Sequence, residues 1–194
     1  MQAEFNFHDV KCVAMTDQEN RPIPESYWVE PGRLLAGEYP GRFEEEQTRK
    51  LLDALIEAGL DVFIDLTRPN EIRPYSQTLF DEAKMYNVEV RYQRFPISDF
   101  GLPAPEQMKS ILDMLDKNLQ AGHKIYLHCW GGIGRTGTAV GCYLVRHGKS
   151  GEEALNQLAE WWKTVPKSYH HSHSPETQEQ VDFIRNWAEH ERNL

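Results

Sequence analysis

The chain has 194 residues, 40% of them hydrophobic, and a net charge of −9 from 21 basic and 30 acidic side chains. That length supports one well-buried core and is too short for two ordinary enzymatic domains. The acidic balance argues against non-specific binding to nucleic acid or to an anionic membrane surface, since both reward basic surface.

Residues 1–22 are polar with scattered apolar positions and read as a loosely packed arm before a single domain over residues 23–194. The arm lacks the basic start and apolar run of a signal peptide, and no segment reaches the length of a membrane span. Residues 26–29 and Leu34–Gly37 are short β-type runs around the turn Glu30-Pro31-Gly32-Arg33, which predicts a hairpin or sheet edge. Over residues 43–58 the stripe Leu51, Leu52, Leu55 and Ile56 predicts a helix that stops at Gly59. Residues 61–66 read as a buried strand, 77–86 as a second helix and 88–95 as an alternating strand. Residues 105–121 carry Met108, Ile111, Leu112, Leu115 and Leu119 on one helical face, with Gly122 as the stop. Ile125–His128 is a further strand, and helices follow over residues 135–147, 150–163 and 175–191. This alternation predicts a single α/β domain whose mostly parallel sheet, of about 4–5 strands, is flanked by helices on both faces. In such sheets ligands bind outside the carboxyl ends of the strands, which here feed the loops 67–75, 96–105 and 130–134.

The most informative run is Lys124 to Gly137, KIYLHCWGGIGRTG. It sets Cys129 between a buried strand and a helix N-terminus, where the helix dipole and converging backbone N–H groups stabilise a thiolate and can bind a phosphate dianion. Gly131, Gly132 and Gly134 let the loop curl with its amides inward, so Trp130, Gly131, Gly132, Ile133 and Gly134 form an anion cradle. Arg135, at the opposite lip, offers a planar fork to two phosphate oxygens while Cys129 lies beneath the phosphorus. Thr136 can donate its hydroxyl to the cysteine sulfur. A chance occurrence of this pattern is on the order of one in a million per cysteine, which disfavours a buried inert cysteine beside a glycine-rich turn.

At these residues the chain resembles the cysteine-dependent protein-tyrosine and dual-specificity phosphatase superfamily, whose signature is His-Cys-x5-Arg-Ser/Thr. The resemblance implies a phosphatase catalytic domain over residues 23–194 that hydrolyses phosphomonoesters through a cysteinyl-phosphate, most simply on phosphorylated proteins or peptides. It implies no metal or other cofactor. Asp99, in the loop Pro96-Ile97-Ser98-Asp99-Phe100-Gly101-Leu102-Pro103, is the candidate for the acid that protonates the leaving oxygen and then serves as base, with Gly101 as hinge. The alternative is that Asp99 caps a turn before the next helix. Ile-Ser-Asp here, where receptor-like tyrosine phosphatases have Trp-Pro-Asp, points to the dual-specificity branch. His128 is expected to hydrogen-bond the backbone around Cys129 and not to act as a base.

Other polar residues read as structural. Asp65, Arg68, Glu71 and Arg73 read first as a solvated charged loop, and secondly as arginines that steer phosphate or hold the Asp99 loop. Near the C-terminus Ser174-Pro175-Glu176-Thr177-Gln178-Glu179-Gln180 is similar to the family segment whose glutamine orients the hydrolytic water. Matching Gln180 to the second glutamine of that segment leaves Glu176 at the water-positioning place. His170, His171 and His173 read as a solvated loop in preference to a metal site. The odd count of Cys12, Cys129 and Cys142 is a poor disulfide framework, so a reducing, cytoplasmic compartment is expected, with Cys142 in the core. Tyr75 or Phe100 is a candidate wall of the pocket.

Two rivals stay open. One keeps the fold and takes a phosphoinositide or inositol phosphate, although Trp130 and Ile133 stand where relatives acting on such polyanions carry lysines. The other is a catalytically silent pseudophosphatase. Oligomeric state is not legible in the sequence.

Overall fold

A computed structural model describes Gln18 and residues 20–194; Cys12 and most of the 1–22 arm lie outside the described residues. The strands are β1 (Ser26–Glu30), β2 (Leu34–Gly37), β3 (Val62–Asp65), β4 (Arg91–Arg94) and β5 (Ile125–His128). The helices are α1 (Glu45–Glu57), α2 (Ser76–Met85), α3 (Pro105–Gln120), α4 (Gly134–Arg146), α5 (Gly151–Trp162), α6 (Gln178–Arg185) and α7 (Trp187–Arg192), with a 3-10 turn over Pro166–Tyr169. They form one α/β domain around a five-stranded sheet of order β1-β2-β5-β3-β4. Only β1 and β2 pair antiparallel; β2-β5, β5-β3 and β3-β4 are parallel.

Strand periodicity divides the core into two layers. Leu34, Ala36, Val62, Ile64, Ile125 and Leu127 face α3 to α7, and Leu35, Phe63 and Tyr126 face α1 and α2. Helices therefore cover both faces, unequally. α4 is buried almost all round because it is wedged between the sheet and α3, α5, α6 and α7. α5 begins at the Ser150/Glu153 capping box, and Arg21, at the described end of the arm, donates to the Ser26 and Thr164 carbonyls.

Two elements differ from the sequence expectation. The single helix over 175–191 is α6 and α7, interrupted at Asn186, whose side-chain amide donates to the Asp182 carbonyl at 2.9 Å. The strand over 88–95 is only Arg91–Arg94, because β4 is an edge strand whose one neighbour, β3, is four residues long.

The register fixes the floor of the site. At the carboxyl end of the parallel strands Gly37, His128, Asp65 and Arg94 stand side by side across β2, β5, β3 and β4. The chain leaves all four strands toward the same rim immediately after this row.

Candidate active site

The Cys129–Arg135 loop is shaped by what holds its carbonyl oxygens. His128 Nδ1 meets the Cys129 carbonyl at 3.1 Å, Tyr39 N donates to Trp130 at 2.9 Å, Lys167 Nζ to Gly131 at 3.2 Å and Ser174 Oγ to Ile133 at 2.8 Å. With the carbonyls turned outward, the N–H groups of Trp130, Gly131, Gly132 and Ile133 have no backbone acceptor among the described residues. Converging amides at the start of α4 make the anion cradle that the sequence predicts. The glycines are not equivalent. Gly132 has φ +77° and its missing β-carbon would lie 2.6 Å from the Gly37 carbonyl carbon, so the turn needs glycine for both conformation and space.

Cys129 is buried at the base of a cavity of about 610 Å³. His128, fully buried below it, is caged by Tyr39, Tyr75 and Tyr126 at ring-centroid distances of 5.3–5.4 Å. A carbonyl only accepts, so Nδ1 carries the proton given to Cys129 O, and Nε2 accepts from Tyr75 Oη at 2.6 Å. Burial pulls the imidazole below its ordinary pKa, against the pull of Asp65, and favours this neutral tautomer. Tyr75 therefore belongs to the support of the loop and does not line the cavity; Phe100 does line it.

Arg135 is only 2% exposed and is held by three partners. Glu71 takes two hydrogen bonds, Nη1 to Oε2 at 2.9 Å and Nη2 to Oε1 at 2.7 Å. Asp99 Oδ1 accepts from Nη2 at 2.9 Å and the Ile97 carbonyl from Nη1 at 3.1 Å. Burial works against the guanidinium charge, but Glu71, Cys129 and Asp99 outweigh it and hold its pKa above the ordinary value. Burial likewise pushes the Glu71 carboxyl up, and the hydrogen bonds from Arg135 and the Arg68 N–H bring it below the usual carboxylate range.

These contacts correct the reading of residues 65–73 as a solvated loop. Arg68 and Arg73 are exposed, as expected of one, but Arg73 also lines the cavity, as the second reading of these residues allows. Asp65 is fully buried and accepts from Thr67 N and Oγ1, from Tyr92 Oη, and from Arg94 Nε and Nη2. Burial pushes its carboxyl up, and the hydrogen bonds from Tyr92 and Thr67 help overcome that to hold it low. The residue that meets the Asp99 loop from here is Glu71, through Arg135, and neither arginine does.

The acid loop also differs in detail. Gly101 N donates to the Ser98 carbonyl at 2.9 Å, closing a turn whose left-handed residue is Phe100, at φ +55°, and not the expected hinge Gly101. Asp99 lines the cavity beside Cys129 and Arg135. Thr136 Oγ1 is buried without a hydrogen-bond partner, so the expected bond to the Cys129 sulfur is not formed here. Cys142 is fully buried, and burial pushes its thiol far up. His170, His171 and His173 are all exposed.

Two segments that line the cavity were not legible as site residues. Tyr39, Arg42 and Phe43 enter from the segment after β2, and Lys167 from the turn after α5. The first group follows from β2 being a parallel neighbour of β5, which reading β2 as a hairpin arm hides. Nothing local to Lys167 signals its place.

A sheet of this order, with a Cys-x5-Arg loop between its central strand and a buried helix, defines a phosphatase of the protein-tyrosine and dual-specificity class. The chain belongs to the family described as "PTP-SAK: Swiss Army Knife protein, DSP-PTPase phosphatase domain", whose model matches residues 24–190. It is 31% identical over 98 residues to the phosphatidylinositol 3,4,5-trisphosphate 3-phosphatase and protein-tyrosine-phosphatase PTEN1 of Arabidopsis thaliana, covering 50% of this chain and 24% of that protein. It is 26% identical over 153 residues to cyclin-dependent kinase inhibitor 3 of Sus scrofa, covering 74% and 69% of the two chains. The chain spans only 17% of the protein tyrosine phosphatase domain-containing protein 1 of Mus musculus. Among solved structures, Tk-PTP in its active form superposes with a TM-score of 0.64 at 28% identity, over 86% of this chain and 97% of that one.

Proposed function

We propose that the chain is a two-step phosphomonoester hydrolase acting through a cysteinyl-phosphate on phosphorylated proteins or peptides, phosphotyrosine first. The observation that carries the reading is the outward anchoring of the loop carbonyls above a buried Arg135, which leaves amides and guanidinium facing one small volume beside Cys129. The Cys129 sulfur attacks phosphorus in line, and the loop amides and Arg135 take the charge of the equatorial oxygens. A phosphate dianion competes with Asp99 for Arg135 Nη2. Once displaced from the guanidinium, Asp99 takes up a proton from solvent and delivers it to the leaving oxygen. Water then cleaves the sulfur–phosphorus bond. The exposed aromatic side chains of Phe43, Phe100 and Trp130 rim the cavity and suit an aryl phosphate carried on a polypeptide.

Replacing Cys129 with serine in the full chain should reduce turnover of p-nitrophenyl phosphate by about 10³-fold or more while orthovanadate still binds. Near-wild-type turnover by that variant would sink the reading.

One observation favours a second substrate class. Arg42, Arg73 and Lys167 line the same cavity, so cations absent from the loop itself are supplied from three other segments. Arg42 and Lys167 pair with Glu38, which offsets part of their charge. An inositol phosphate would engage them with its further phosphates. Phosphotyrosyl peptide and inositol-lipid vesicles compared at equal concentration separate the two classes, and Arg42→Ala, which leaves the anchors of the loop carbonyls in place, should weaken the second far more than the first.

A further inference from the structure

Four basic and three acidic side chains line the cavity, so its wall carries little net charge to hold a polyanion. The acids stand at different ends of the phosphate loop. Asp99 reaches Arg135, and Glu176 rests against the start of α4, where a β-carbon on Gly134 would lie 2.5 Å from its Oε2. Glu38 stands at the other end: the missing β-carbon of Gly132 would lie 2.8 Å from its backbone nitrogen.

Glu38 is the residue after β2, and its backbone is held from both sides. Its N–H donates to the Glu25 carbonyl at 3.1 Å, and its carbonyl accepts from Tyr126 Oη. The side chain, only 12% exposed, divides its carboxylate between two half-buried cations of the same cavity, with Oε1 on Arg42 and Oε2 on Lys167. Both cations give further hydrogen bonds to the protein. Arg42 donates to the Tyr39 and Gly41 carbonyls, and Lys167 to the Gly131 carbonyl. A ligand oxygen that approaches either cation must therefore share it with a carboxylate or break the pair.

We propose that Glu38 sets the specificity of the cavity: by holding Arg42 and Lys167 it admits a substrate with one phosphate group and disfavours one that carries further phosphates beside the first. The inference rests on the reading of Cys129 and Arg135 as the phosphate-hydrolysing centre. A single phosphate needs only the loop amides and Arg135, none of which Glu38 touches. A neighbouring phosphate on the same ligand reaches the wall where Glu38 stands and meets a largely buried negative charge, where screening by solvent is weak. Arg73, the remaining cation of the wall, is exposed and offers little in compensation. Removing the carboxylate reverses the balance. Glu38→Gln leaves two half-buried cations without their counter-charge, and a neighbouring phosphate can supply it.

The test is competitive inhibition of p-nitrophenyl phosphate hydrolysis by the full chain at fixed ionic strength, with inorganic phosphate as the single-phosphate probe and inositol hexakisphosphate as the polyanion. In the wild-type chain inositol hexakisphosphate should bind no more than about tenfold tighter than phosphate. In Glu38→Gln its inhibition constant should fall about tenfold or more, while that of phosphate moves by less than about threefold. Adding Arg42→Met to Glu38→Gln should cancel most of this gain, because it removes one of the two freed cations. An unchanged ratio of the two constants in Glu38→Gln overturns the proposal, as does an equal shift in both, which would mean that Glu38 acts on the loop through Lys167. So does a gain that survives Arg42→Met in full, or a wild-type preference for inositol hexakisphosphate beyond about tenfold. If the glutamine variant does not fold, Glu38→Met, of similar length, decides by the same readouts. Failure of the underlying reading looks different: the wild-type chain would turn over no aryl phosphate, or Cys129→Ser would retain turnover.

Discussion

Two loops leave adjacent strands at one rim of the sheet, and they differ in how much of their role is written in their own run of residues. After β5, the pattern from His128 to Thr136 carries the cysteine, the turn glycine and the arginine within one short run. After β3, the polar groups are completed from a distance. Asp65 is answered by Arg94, 29 residues on, and Glu71 by Arg135, 64 residues on. A charged run looks solvated until the cross-strand register is known. That register sets Asp65 between His128 and Arg94 and buries it.

The comparison breaks most visibly at the residue the two loops share. Arg135→Lys keeps the charge but loses the fork that spans Glu71 and two phosphate oxygens, so kcat/KM for an aryl phosphate should fall by about 10³-fold. A loss below tenfold would mean that charge alone suffices and that the planar geometry read from the structure is incidental.

Asp65→Asn tests the β3 side through stability. It takes the charge from a buried carboxylate that faces Arg94, Tyr92 and Thr67, at a cost of about 3 kcal/mol, measurable by urea unfolding at pH 7. The folded-state pKa of Asp65 lies below its ordinary value, so its contribution is fully present above that ordinary value, about 4, and is lost as pH falls through the lowered one. The gap between wild type and Asp65→Asn should therefore narrow below about pH 4. A gap that does not depend on pH would assign the effect to packing.

Legibility followed the same division. The sheet, its helices and the Cys129–Arg135 loop were readable because periodicity and turn chemistry act over a few residues. Thr136 was readable as part of the motif, yet its hydroxyl remains unpartnered, because a motif gives residue types and not rotamers. Glu71, Arg42 and Lys167 were not readable as site residues, since their places depend on strand order and on where loops of different origin meet. Phe100 shows the limit within a loop. Residue type favours Gly101 as the flexible position, but the turn closed by Gly101 N puts the left-handed conformation one residue earlier.

Glu71→Gln keeps the size of the side chain but replaces a charged, two-point partner of Arg135 with a neutral one. The guanidinium is then less firmly aimed at the cradle, and KM for an aryl phosphate should rise about tenfold with a smaller change in kcat. A change confined to kcat would show that Glu71 acts on chemistry and not on phosphate capture.

The smallest effect is the sharpest, because it has the opposite sign. Asp99 occupies the same Arg135 Nη2 that a phosphate oxygen needs, yet its side chain is 39% exposed, so the pair is worth only about 0.5–1 kcal/mol. Asp99→Asn removes a competitor and should tighten the binding of inorganic phosphate about threefold, measured as competitive inhibition at pH 7, while turnover of a substrate with a poor leaving group falls. Glu71→Gln should weaken phosphate in the same assay. Two carboxylates on one guanidinium would then act in opposite directions, one holding the arginine in place and the other yielding its position to substrate. If both variants shift phosphate affinity the same way, Asp99 is a second anchor for Arg135, and its release on phosphate binding is wrong.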